Sequence, residues 1–110
     1  MTCNESDWSE ETNWWGLKGE LYLTSQQVDD ITTLGAMSEA SGYAAYKILV
    51  ERGVIAAVSS PWGAVIGAAI ALNLGMMRLM DRGCGIIIHL YQPYAGLAVP
   101  SLPRWRFESQ

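Results

Sequence analysis

Few residues in this 110-residue chain are of the types that do chemistry, and their spacing does not assemble them. The single histidine, His89, lies between Ile88 and Leu90 in GIIIHLY, a β-branched run that reads as a strand over 85–91. If Ile86, Ile88 and Leu90 face a core, His89 points the other way with Ile87 and Tyr91. A nucleophile activated by that imidazole must come within hydrogen-bond reach of it. Cys3 and Cys84 are far apart in sequence and read as free thiols, so no Cys/His pair is expected. Two cysteines supply neither a disulfide scaffold nor a four-ligand metal site. Glycoside hydrolysis needs two carboxylates across a cleft, but the acidic residues gather near the N-terminus and at a helix start. GCGIII, residues 83–88, has its glycines after a helix and before a strand. A phosphate-binding loop has the opposite order, because helix N-terminal amides must point at the anion. The expectation is a protein that is not an enzyme and holds no cofactor or metal.

Charge narrows the partners. The net charge is −4 and the seven Lys and Arg are scattered, whereas phosphate backbones demand a basic patch. Nucleic acid is therefore not an expected partner. Glu5, Asp7, Glu10 and Glu11 make the opening MTCNESDWSEETNWW acidic where a secretory signal would be basic and then apolar. Residues 1–13 read as a flexible acidic tail and 14–110 as a single domain, either membrane-associated or released without a signal peptide.

The elements that would carry these residues follow from local pattern. GELYL (19–23) alternates Leu21 and Leu23 with Glu20 and Tyr22, a short strand. Thr24 and Gln27 have capping-box spacing. A first helix is predicted over about 24–52, with Val28, Ile31 and Leu34 at helical spacing, a row of Ala36, Ala40 and Ala44, Gly53 as C-cap, and Gly35 and Gly42 as weak points where it can kink or break. Ser60-Pro61 opens a second helix over 61–82, and Arg78, Arg82 and Gly83 close it. Gln92-Pro93-Tyr94 reads as a turn and 95–99 as a returning strand. The fold class is α+β, a two-helix hairpin with a small antiparallel β element from 19–23, 85–91 and 95–99.

The second helix holds the feature most suggestive of function. GAVIGAAIALNLG (63–75) has no charge and sets Gly63, Gly67, Ala71 and Gly75 at intervals of four, one smooth groove on a helical wheel. Trp62, Ile66, Ile70 and Leu74 form the adjacent ridge, and Val65, Ala69, Leu72 and Met76 cover most of the far side. A helix apolar all round is buried on every side or surrounded by lipid. One copy of so short a chain offers thin cover, so sister chains or a bilayer are expected to enclose it. Residues 54–77 suffice in length for a span. Small residues at intervals of four let helix backbones approach closely, and Asn73 could hydrogen-bond across the seam. Trp14, Trp15, Trp62 and Trp105 flank the segment as candidate membrane-interface residues. The expectation is a membrane-active, oligomer-forming small protein, pore-forming and toxin- or bacteriocin-like, whose partners are itself and a lipid bilayer. The competing reading is a soluble homo-oligomeric binding or structural module with the same helix at its subunit interface.

Overall fold

The computed structural model describes residues 4–34, 42–58, 62–93 and 104–110. Strands β1 (Asp7–Asn13), β2 (Gly16–Leu23), β3 (Ile86–Pro93) and β4 (Arg104–Ser109) form one antiparallel sheet in that spatial order. Between β2 and β3 the chain forms α1 (Ser25–Thr33), α2 (Gly42–Glu51), α3 (Trp62–Leu72) and α4 (Leu74–Met80). The class is mixed α+β, as the sequence pattern requires.

Strand alternation sorts the two sheet faces. Leu21 and Leu23 of β2 and Ile86, Ile88 and Leu90 of β3 are buried in one core with Val28, Ile31, Leu49, Ile66, Ile70 and Met77 from the helices. Trp8, Trp105 and Phe107 close that core from the outer strands, half-buried. The other face carries rows of cross-strand neighbours, among them Ser9, Glu20, His89 and Arg106. His89 thus lies opposite the inward isoleucines, as the period of two demands.

The Thr24–Gln27 capping box forms in both halves. The Gln27 amide donates to Thr24 Oγ1 at 3.0 Å, and the Thr24 amide donates to Gln27 Oε1 at 2.8 Å. Gly53 takes φ of +71° after α2, the left-handed stop expected of it.

Four expectations change. The acidic stretch expected as a tail forms β1 over Asp7–Asn13. Its anchor is Trp8, cross-strand partner of Leu21, whose ring lies over Gly19 and meets Trp62 edge-on at 5.3 Å. The fourth strand is Arg104–Ser109, while 95–99 lies outside the described residues. The expected helix over 24–52 is described as the separate stretches α1 and α2, and 35–41 lies outside the described residues. The expected helix over 61–82 breaks at Asn73 into α3 and α4, bent by 79°.

Candidate functional site

The apolar helix is enclosed within one copy of the chain. Trp62, Gly63, Val65, Ile66, Gly67, Ala69 and Ile70 of α3 are all buried. This overturns the expectation that one chain offers too little cover. The glycine groove accepts α2 of the same chain. Gly63 faces the Tyr46 ring, and Gly67 abuts the Gly42 carbonyl so closely that no Cβ fits. Helix packing against small residues therefore occurs, but its partner row holds Gly42, Tyr46 and Leu49. Ala44 is exposed, and Ala36 and Ala40 lie outside the described residues. Ala71 sits half-buried at the margin of the core, and Gly75 is exposed with nothing within 4 Å of a Cβ built on it. Only Gly63 and Gly67 of the expected groove share the seam.

Asn73 acts at the bend rather than across a seam. Its Nδ2 donates to the Ala69 carbonyl at 2.7 Å, the acceptor its own amide would use in a continuous helix. Its backbone N–H bonds Ile70 instead, at 3.1 Å, which tightens the last turn of α3. Side-chain amides that compete with the helix ladder in this way favour bends.

The bend brings apolar side chains to the surface. Leu72 is 73 % exposed, Met76 48 % and Leu79 77 %. Arg78 and Arg82 are exposed beside them, and the Arg78 guanidinium donates to Thr32 Oγ1 at 2.9 Å. Among the described residues no single helix is long and apolar enough to cross a membrane. α3 and α4 together reach the length and composition, but only as a bent pair.

The four tryptophans expected at a membrane interface, Trp14, Trp15, Trp62 and Trp105, do not form one belt. Trp62 is 1 % exposed and belongs to the core, because α3 seats it against Trp8. Trp105 packs half-buried against that core. Trp15 stacks obliquely on Tyr91 at 6.0 Å, and Trp14, 85 % exposed in the β1–β2 turn, alone stands well into solvent.

The outer sheet face is polar and interlocked. His89, 8 % exposed, donates from Nε2 to Glu108 Oε2 at 2.8 Å, and its Nδ1 lies 3.7 Å from Glu20 Oε1. Lys18 Nζ reaches the same Glu20 oxygen at 3.4 Å. Tyr22 donates to Glu20 Oε2 at 3.2 Å; burial first, then this bond and the nearby carboxylates, push its hydroxyl pKa upward. Among the described residues no three His, Cys, Asp or Glu side chains gather to hold a metal ion.

Just before β3 a further correction appears. Cys84 is disulfide-bonded, so the free-thiol reading fails. Separation in sequence says little about separation in an antiparallel sheet. The Asn4 amide donates to the Cys84 carbonyl at 2.8 Å, and Asn4 Nδ2 donates to the Gly83 carbonyl at 3.2 Å. The start of the described chain is thereby tied to the β3 entry. Asp81 organises the same corner by accepting from Ser25 Oγ at 2.6 Å and from the amides of Gly83 and Gly85.

Among the described residues, an antiparallel four-stranded meander with four helices inserted between its second and third strands is the class of fold the chain defines. Comparison with protein-family models, with curated proteins and with solved structures finds no match.

Proposed function

We propose that this chain is a small membrane-active protein, disruptive to bilayers in the manner of a pore-forming toxin or bacteriocin. The observation that carries the reading is the exposed apolar corner of Leu72, Met76 and Leu79 at the end of an uninterrupted apolar helix. Large apolar side chains left exposed close together in the chain are candidates for an interaction site. Arg78 and Arg82 border it and would meet anionic headgroups. The folded form is then a resting state, with α3 held in the core and the corner making first contact. The disulfide at Cys84 supports action in an oxidising compartment outside the cytosol.

The test is flotation with vesicles of mixed anionic and neutral lipid, with dye release measured in parallel. The protein is expected to float with anionic vesicles and to release dye. Leu72→Glu combined with Leu79→Glu should reduce binding by tenfold or more while leaving the melting temperature in place, since both side chains are already in water. Absence of binding to vesicles of any charge would sink the reading.

One observation favours a soluble binding or structural module instead, with no need of a subunit interface to cover α3: that helix is enclosed inside a single copy, so the folded state demands neither lipid nor a sister chain. Stable behaviour in buffer together with inertness toward vesicles selects that alternative.

A further inference from the structure

We infer that β4 of one copy pairs with β1 of the next, so that the protein associates with itself edge to edge. β1 and β4 are the two outer strands, each with one strand neighbour among the described residues. Their outward backbone groups offer a template for another strand, and the Trp8 amide of β1, which donates to Asp7 Oδ1 at 2.8 Å, would exchange that bond on pairing. The two edges carry opposite charge. β1 holds Asp7, Glu10 and Glu11 and no cation. β4 holds Arg104 and Arg106, both exposed, against one acid, Glu108.

Strand direction supports the same contact. The meander alternates over an even number of strands, so β4 runs opposite to β1. A second copy set beside the first without inversion continues the antiparallel alternation and keeps its helices on the same side. Pairing of two β1 strands is disfavoured electrostatically, because it would set acid against acid. Side chains also match in register. Arg104, Arg106 and Glu108 share the outer sheet face with Ser9, Glu11 and Asn13. With Arg106 opposite Glu11, Arg104 meets Asn13 and Glu108 meets Ser9, and no like charges face each other. The contact is heterologous, so it propagates into a ribbon or closes into a ring rather than stopping at a dimer. It stands apart from the lipid reading, because it involves neither α3 nor α4.

The experiment is sedimentation velocity of the disulfide-intact chain over a wide concentration range, without lipid, at low and high salt. Mass is expected to grow with concentration at low salt and to fall at high salt. Glu11→Arg and Arg106→Glu should each weaken association roughly tenfold, and the double reversal should restore it. Circular dichroism melts check folding, and Glu11→Gln with Arg106→Gln replace any reversal that does not melt cooperatively; each should weaken association less than the reversal. A monomer at every concentration and low salt overturns the proposal. So does association that neither charge change affects.

Discussion

Gly67 of α3 packs directly against the backbone carbonyl of Gly42 in α2, with no room between them for a methyl group. The obstacle is backbone, which cannot swing aside as a side chain can. Alanine gains about 1 kcal/mol of helix propensity over glycine. Overpacking a fixed contact costs about 1–3 kcal/mol and occasionally more. Here α2 and α3 would have to separate and loosen Tyr46, Leu49 and Ile66, so the cost should win. Gly67→Ala is expected to lower unfolding free energy by about 2 kcal/mol. At Gly75, where nothing lies near an added Cβ, alanine should raise it by about 0.5–1 kcal/mol. Urea unfolding of the two variants decides the matter; equal effects would show that the seam is not the constraint.

Reduction of the disulfide at Cys84 should be costly. Losing a native disulfide from a small domain typically costs about 2–5 kcal/mol. Treatment with a phosphine reductant is expected to lower the melting temperature by roughly 15 °C or more. An unchanged melt under confirmed reduction would refute this.

The sequence made some of these features legible and hid others for physical reasons. The capping box at Thr24 and Gln27 needs only local partners, so it could be read directly. The outward position of His89 followed from alternation beside Ile88 and Leu90. The groove at Gly63 and Gly67 was visible too, but what fills it depends on where the chain returns, and Gly42 gives no periodic signal. β1 leaves little trace in the sequence because Trp8 is its one large apolar side chain, and Ser, Thr and Glu elsewhere imitate a solvated tail. The bonded state of Cys84 depends on tertiary proximity that spacing does not report.

Asp81 should govern part of the acid limb of stability. Burial pushes its carboxyl pKa up, but hydrogen bonds from Ser25 Oγ and the amides of Gly83 and Gly85 outweigh this and hold it below 3.8, the ordinary value. A group depressed in the folded state contributes stability above its unfolded pKa and loses it as pH falls through the folded one. Asp81→Asn keeps an acceptor oxygen and removes the charge. The stability gap between wild type and this variant should be constant above about pH 5 and shrink below about pH 4. Unfolding titrations across that window check it, and a gap independent of pH would count against the hydrogen-bonded carboxylate.

On the proposed membrane reading, the bend at Asn73 is a point at which one side chain would bias the choice between a bent and a straight helix. Its Nδ2 holds the Ala69 carbonyl and its amide is diverted to Ile70, so the ladder of α3 stops there. Asn73→Ala removes the competitor. In the compact form it leaves the Ala69 carbonyl short of a donor, at an expected cost of about 1 kcal/mol. The proposed membrane activity predicts the reverse in a bilayer. A continuous helix over 62–80 would be roughly 28 Å long, close to the hydrocarbon thickness of about 30 Å. Alanine at the joint favours that straight form through propensity and by freeing the carbonyl for the ladder. Asn73→Ala should therefore unfold at lower urea in buffer, yet show more helix by circular dichroism and faster dye release with anionic vesicles. If stability falls while helicity and release in lipid stay at wild-type levels, the bend is a feature of the compact fold alone and does not limit insertion.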